Sequence, residues 1–393
     1  DMKYDFDRIN NRFNTGCAKW DGQKIRNKNF NENTIPLQVA DMDFRTAQVI
    51  IDKMHEVSER GIYGYTSDKF KHEYRDSIIN WFDKYFNLEI NPEEIVYSDG
   101  SISMIEGIIK ACSNPSDGII IQRPVYGHFT QAIEEDTGRV VVNNQMIHKN
   151  GNYYIDYSDL EEKCRNPKNK IMIFCSPQNP VGKIWEKDEI KRVHEICSKY
   201  GVILISDEVH CDLLRDNNKH YPIYNCIDDY KNVVMISAIS KTFNLAGLKC
   251  ANAIIKDKKL REKIISEFGN RTPTPFALEA LIAAYSEEGR EWLDQLNEYI
   301  DETFDLIERY IKEYMPKLKY KRPQGTYMAW LDFSEYGLSS EEIHEKIYVN
   351  ANVILQDGYV HDPDLGGQFQ RMCVCSPKSV IKEALIRISE EFK

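Results

Sequence analysis

Lys241 stands in the stretch Ser237-Ala238-Ile239-Ser240-Lys241-Thr242-Phe243-Asn244-Leu245-Ala246-Gly247-Leu248, directly after the apolar run Val233-Val234-Met235-Ile236. The run has no polar alternation, so it reads as a buried parallel strand. A lysine just past such a strand, among hydroxyls and small residues, lies at the strand's carboxyl end, where α/β folds place chemistry. An amine held there can form a Schiff base with a carbonyl cofactor, pyridoxal phosphate being the usual one. A loop lysine can equally be a solvated charge, so the assignment needs further parts. Residues 171–175 form a second apolar run, ending in Ser176-Pro177-Gln178-Asn179-Pro180-Val181-Gly182. A third, residues 202–206, ends in Asp207-Glu208-Val209-His210. Three successive strands thus bring Asn179, Asp207 and Lys241 to one sheet edge. A pyridoxal ring needs all three types: a carboxylate to keep its nitrogen protonated, a donor for its phenolic oxygen and an amine for its aldehyde.

The elements that must position these residues can be read along the chain. Residues 1–45 are polar, asparagine-rich and irregular, and Gly61-Ile62-Tyr63-Gly64-Tyr65-Thr66 is a turn-rich loop. Residues 95–98 read as a strand, and residues 103–112 as a helix with Met104, Ile105, Ile108 and Ile109 on one face. Between them, Asp99-Gly100-Ser101-Ile102 is a glycine turn into a helix N-terminus, where free N–H groups and the helix dipole attract an anion. An ordinary N-cap serine would look the same; the order strand, glycine turn, helix favours a phosphate. Residues 118–122 read as a strand running into Arg123-Pro124-Val125-Tyr126, and residues 190–200 as an amphipathic crossover helix. Apolar residues Trp292, Leu293, Leu296, Ile300, Phe304, Ile307 and Ile311 mark a long helix over 289–315. After residue 316 the pattern predicts a strand over 327–333, a helix over 340–349 and a strand over 370–375 with Arg371 near its start. No internal repeat or low-complexity linker interrupts the chain.

Composition excludes several classes. With 393 residues, 42% hydrophobic and 29% charged, the chain is long enough to bury a large core. A formal net charge of −11 argues against nucleic acid and anionic membrane, which need a basic patch. No apolar stretch approaches the roughly 20 residues of a membrane span, and the first residues lack the apolar core of a signal peptide. A cytosolic location is expected; Asp1 ahead of Met2 reads as a residue added in cloning. The ten cysteines show no C-x-x-C pair, so buried free thiols are expected, with Cys373 and Cys375 facing the same way on one strand. The nine histidines show no H-x-x-x-H or H-E-x-x-H spacing, and no metal site is expected.

As a whole the sequence resembles the fold-type I pyridoxal phosphate enzymes of the aspartate aminotransferase superfamily, and within it the MalY/PatB group of cystathionine β-lyases and related C–S lyases. The markers are Arg12 with Thr15 and Lys19-Trp20-Asp21, then Ala40-Asp41-Met42-Asp43-Phe44, Asp207-Glu208-Val209-His210-Cys211-Asp212-Leu213, residues 240–248, and Gly325-Thr326-Tyr327-Met328-Ala329-Trp330-Leu331-Asp332. They span essentially the whole chain. The resemblance implies an α/β fold with three parts. Residues 1–45 form an N-terminal arm and part of a small domain. Residues 46–288 form a large cofactor-binding domain, with a mostly parallel seven-stranded sheet between helices. Residues 289–393 form an interdomain helix and a C-terminal small α/β domain.

The same resemblance implies roles. Lys241 would hold the cofactor and, once freed, act as base. Asp207 would face the ring nitrogen, Asn179 the phenolic oxygen, and Tyr126 would stack on the ring. Gly100, Ser101, Ile102, Ser240 and Lys249 would surround the phosphate. Lys249 stands where the superfamily often has an arginine, and Ala238 where many relatives carry a phosphate-binding serine; Ser237 lies one step earlier, and Ser240 is the expected substitute. His210 occupies a position that is tyrosine in aminotransferases proper and histidine in the MalY/PatB group; it would bond the phenolic oxygen or support Asp207. Tyr65 would cross a homodimer interface to the partner subunit's cofactor phosphate, and Arg371 would grip the substrate α-carboxylate in a fork. The implied reaction is β-elimination from cystathionine, cystine or cysteine to thiol, pyruvate and ammonia. An aminotransferase on the same scaffold is the alternative, since the same residues would serve it. A regulatory protein with residual lyase activity is another, though such a protein need not keep Lys241, Asp207, Asn179 and Arg371.

Overall fold

Seven strands form one sheet in the spatial order Ile95–Ser98, Ala251–Ile254, Val233–Ala238, Ile203–Asp207, Asn169–Cys175, Gly118–Ile121, Val140–Asn143. Ala251–Ile254 is antiparallel to both neighbours, and every other pair is parallel. The central strands are mostly apolar because helices cover both faces; all six residues of Val233–Ala238 are buried. These features come from a computed structural model that describes residues 3–393. Asp1 and Met2, with the reading of Asp1 as an added residue and the first two residues of the arm, lie outside the described residues.

Parallel pairing needs crossover connections, and helices His128–Glu134, Tyr157–Arg165 and Lys187–Lys199 supply them. Lys187–Lys199 begins three residues before the predicted start. Glu186 and Glu189 form a reciprocal capping box there, in polar sequence that hydrophobic periodicity does not register. Ser101–Cys112 likewise starts two residues early, directly after Gly100.

A second sheet, all antiparallel, has the order Lys319–Tyr320, Met328–Asp332, Phe369–Cys373, Gln356–Asp357. The 28-residue helix Glu287–Tyr314 leads to it from the large sheet, opened by Ser286 accepting from Gly289 N at 3.1 Å. Two boundaries differ from the pattern reading. The strand ends at Cys373, and Cys375 turns toward the arm, its carbonyl accepting from Asp43 N at 2.9 Å. The segment predicted as one helix over 340–349 is an α-helix only over Ser340–His344 and continues as a π-helix over Glu345–Asn350. The arm joins this region through Ile35–Pro36, which pairs parallel with Val353–Ile354. Among the described residues no helix is long and apolar enough to cross a membrane.

Candidate active site

The carboxyl ends of three adjacent strands of the large sheet converge on one cavity of about 290 Å³. Asn179, Asp207 and Lys241 line it, together with Gly100, Ser101, Ile102, Tyr126, Cys175, His210, Ser240 and Lys249. A larger cavity, about 540 Å³ between the hairpin bearing His148 and the strand Lys319–Tyr320, gathers none of these residues.

Lys241 is fixed by its neighbours rather than by its own strand. The strand Val233–Ala238 passes into a single helical turn, Ile239–Thr242. Thr242 Oγ1 donates to Asp212 at 3.1 Å, and Asp212 also accepts from Trp81 Nε1 at 3.0 Å. On the other side Asn244, at φ 58°, donates from Nδ2 to the carbonyls of Met42 and Phe44 at 3.0 and 2.9 Å and accepts from Met42 N at 3.1 Å. Two side chains thus clamp the turn between the Asp212 loop and residues 40–44. The Lys241 Nζ donates to the Ala40 carbonyl at 2.9 Å, which also takes the Tyr327 hydroxyl at 3.1 Å. Burial, and then the charge of Arg371, lowers the proton affinity of Lys241 below the ordinary lysine range.

The Asp207 side chain is buried with a single hydrogen bond, from Val209 N at 3.3 Å. Burial pushes its carboxyl up to about 7. His210 is buried and its Nδ1 has no partner; burial, then the charges of Lys241 and Arg371, bring it down to about 3, so the imidazole is neutral. Its ring meets Tyr327 edge-on at 5.8 Å. Asn179 accepts from Arg371 Nη1 at 3.3 Å, while Arg371 Nη2 donates to the Gln38 carbonyl at 2.8 Å. Arg371 is the third residue of its strand and buried, and its Nε has no partner. Burial raises the Tyr126 hydroxyl to about 12.

At the cavity's other end, the helix Ser101–Cys112 begins after Gly100, at φ 153°, with no side chain capping its first N–H groups. Ser240 and Lys249 line the same space. Ala238 and Ser237 are both buried in the strand and do not line it. Tyr65 is fully exposed, at 108%, and is not brought to this chain's own cavity.

Several groups that hold the site carry no signal in the sequence. The carbonyls of Ala40 and Gln38 accept from Lys241 and Arg371, and a carbonyl is common to every residue type. Asn244 and Asp212 belong to segments noted as markers, but their roles as clamps depend on partners about 200 and 30 residues away. Among the described residues no group of three or more His, Cys, Asp or Glu side chains is placed to hold a metal ion.

The donor set fits pyridoxal phosphate. A buried acid with almost no partner, its proton held up to about 7, could pass that proton to a pyridine nitrogen and pair with it as a carboxylate; an uncapped helix start beside Lys249 suits a phosphate, and a lysine of lowered proton affinity suits an aldehyde. The unpartnered Nδ1 of His210 and Nε of Arg371 leave donors or acceptors in reserve for a bound group.

Comparison with known proteins agrees with this geometry. A family model described as aminotransferase class I and II matches residues 32–388. Cystathionine β-lyase PatB of Bacillus subtilis is 34% identical over 388 residues, covering 98% of each chain. Cystalysin from Treponema denticola, whose structure contains pyridoxal 5'-phosphate, superposes with a TM-score of 0.94 at 30% identity over 99% of each chain. A pyridoxal-phosphate-bound protein from Clostridium difficile 630, provisionally called an aminotransferase, superposes with a TM-score of 0.93 at 36% identity, covering 99% of this chain and all of that one.

Proposed function

Because the chain belongs to the aminotransferase class I and II family, we propose that it is a pyridoxal phosphate-dependent lyase that breaks the carbon–sulfur bond of cystathionine, cystine or cysteine. The products are a thiol, pyruvate and ammonia. The observation that carries the reading is the shared cavity: Lys241 and Asp207, both driven toward their neutral forms, stand beside Asn179, which is tied to Arg371. Its carbon–sulfur lyase relatives support elimination over transamination.

When bound, the pyridoxal group supplies an aldehyde that takes up an amino-acid amine and a ring that draws electrons from its α-carbon. Lys241 Nζ holds that aldehyde and, once released, takes the α-proton, a task suited to an amine that is readily neutral. Asp207 keeps a proton on the ring nitrogen. Arg371 grips the α-carboxylate as a fork and turns the α-C–H toward Lys241. Asn179 donates to the phenolic oxygen, Tyr126 covers the ring face, and neutral His210 supports Asp207 or the same oxygen. The N–H groups of Ser101 and Ile102 after Gly100, with Ser240 and Lys249, receive the phosphate.

The working unit in this proposal is a homodimer in which Tyr65 completes the partner subunit's phosphate site. Its full exposure, with Ile62, Tyr63 and Phe70 also exposed nearby, supports that assembly. In this reading the chain divides at residues 45 and 288 into arm, large domain and small domain, and the presence of two separate sheets supports such a division. Ten unpaired thiols suit a reducing, cytosolic compartment.

The test is product analysis of the reconstituted protein with cystathionine and cystine. Pyruvate, ammonia and the sulfur leaving group, homocysteine from cystathionine or thiocysteine from cystine, should appear in equal amounts with no keto acid added. Turnover that depends strictly on an added keto acid, without thiol release, would instead establish the transamination suggested by the Clostridium difficile relative. For the dimer, mixing Lys241→Ala with Tyr65→Ala subunits should restore activity in hybrids; no rescue after verified subunit exchange overturns the shared site.

A further inference from the structure

Glu208 directly follows Asp207, and no step described so far uses it. Its N–H still bonds the Ile236 carbonyl at 2.9 Å, so strand geometry continues and the two carboxyls point to opposite faces of the sheet. Asp207 faces the cavity; Glu208 lies behind it, its side chain wholly buried. Glu208 Oε1 is 2.6 Å from His220 Nε2, whose side chain is 1% exposed. Oε2 accepts from Ser206 Oγ at 2.8 Å and from Ile223 N at 3.1 Å. Phe86 closes the site with its ring edge-on to His220 at 5.8 Å. A buried ionisable pair is a poor source of stability, since apolar residues of the same shape serve as well or better. A mere tie between the strand and the 220–223 loop would not require a charge.

We propose that Glu208, held in place by His220, is a positioning residue whose negative charge, acting through the strand, keeps the proton between Asp207 and the pyridoxal ring nitrogen. The inference rests on the reading of Asp207 as the ring-nitrogen partner. The groups facing Asp207 act in both directions. In the cavity it is near Lys241, Tyr126 and Cys175. Burial raises its proton affinity, the Val209 N–H and Lys241 lower it, and Glu208 raises it. Glu208 is itself surrounded by His220 and by the neutral groups of Cys211, Tyr224 and Cys226. Glu208 is therefore an anion that acts on Asp207 from behind.

The test uses holoenzyme carrying pyridoxal phosphate labelled with 15N in the ring, titrated from pH 6 to 11 by the ring-nitrogen chemical shift. Glu208→Gln keeps the shape and most hydrogen bonds but removes the charge. Its ring nitrogen should lose the proton about one pH unit lower than in the unaltered protein, from one charge at this separation. Ser206→Ala removes a hydrogen bond and leaves the charge, so it should titrate as the unaltered protein does; Glu208→Asp keeps the charge and should also titrate close to the unaltered protein. Should Glu208→Gln not fold, the double variant Glu208→Met with His220→Phe replaces the whole pair by apolar groups and should show the same downward shift. A charge-free variant that titrates like the unaltered protein overturns the proposal, and so does an equal shift in Ser206→Ala. An unaltered protein that binds no pyridoxal phosphate, or holds it with the ring nitrogen unprotonated throughout, overturns the functional reading as well.

Discussion

Asp43 and Asp207 are both buried carboxyls near a lysine, and they differ in what surrounds them. Asp43 accepts from Lys19 Nζ at 2.7 Å, Arg12 Nη1 at 3.0 Å, Trp20 Nε1 at 3.0 Å and Ser376 Oγ at 2.6 Å. Burial alone would raise it, but the charge and hydrogen bond of Lys19, with Ser376 and Trp20, bring it down to about 2. Asp207 has one long contact and rises to about 7. The lysines mirror the acids: Lys19 is raised by Asp43, whereas Lys241 has only a carbonyl partner and is lowered. The first cluster ties the N-terminal arm to the small sheet with every charge matched. The second leaves its ionisable groups without charged hydrogen-bond partners, at a cost in stability, a pattern that is enriched at binding sites.

Breaking each cluster should therefore have different consequences. The largest effect is expected at Lys241. Lys241→Ala should lower turnover at least about 10³-fold, because holder and base are lost together, while its folding is retained. Borohydride treatment of the unaltered protein should fix the cofactor to the peptide containing Lys241. Lys19→Ala, the matching change in the arm, should leave that labelling in place, and a label on any other lysine refutes the assignment.

Next in size is Asp43→Ala, which strands a buried lysine and should cost about 3–5 kcal/mol in urea unfolding. Asp207→Ala in cofactor-free protein should cost far less, because it leaves no ion pair broken. Equal losses would erase the distinction between the clusters.

The arginines give a third comparison. Arg371→Lys replaces a fork by a point charge and should lower kcat/KM about 10²-fold, roughly 2.7 kcal/mol, with cofactor binding nearly unchanged. Arg12→Lys, in the matched cluster, should leave kcat/KM within about threefold.

A smaller effect at Asp43 is expected in the pH dependence of stability, and its sign separates the two acids. Asp43 has a folded value below its unfolded one. Its contribution, about 2 kcal/mol, is present above pH 4 and lost as the pH falls through about 2. Asp207 has a raised folded value, so in cofactor-free protein its contribution is present below pH 4 and lost as the pH rises through about 7. Asp207→Asn should flatten the unfolding profile between pH 4 and 7, and Asp43→Asn the profile below pH 4. Denaturant melts across both ranges read the slopes.

Much of the candidate site was legible. The strands before Asn179, Asp207 and Lys241 announce themselves as apolar runs, and a polar type with a distinct use follows each run within five residues. The long helix Glu287–Tyr314 was legible for a similar reason, its apolar stripe being unbroken from Trp292 to Ile311. Harder to read was the small sheet, where Gln356–Asp357 is two half-buried polar residues that only the neighbouring strand makes part of a ladder. Glu208 gave no sign either, since an acid after Asp207 in a polar stretch looks like solvated loop until Ser206, His220 and Ile223 close over it.

The sequence by itself determined the chemical inventory and where strands end, because side-chain type and apolar periodicity are local properties that survive without a fold. Proton affinity is not local. Asp43 and Asp207 are the same residue type with the same intrinsic acidity, and only burial depth and the number of donors that the folded chain brings to each push one to about 2 and the other to about 7. The pairing of Arg371 with Asn179, 192 residues apart, and the use of the Ala40 carbonyl as the rest for Lys241 were likewise decided by tertiary structure. Contacts across such separations exist only once two sheets have packed together, and a backbone carbonyl differs from its neighbours only in what lies opposite it.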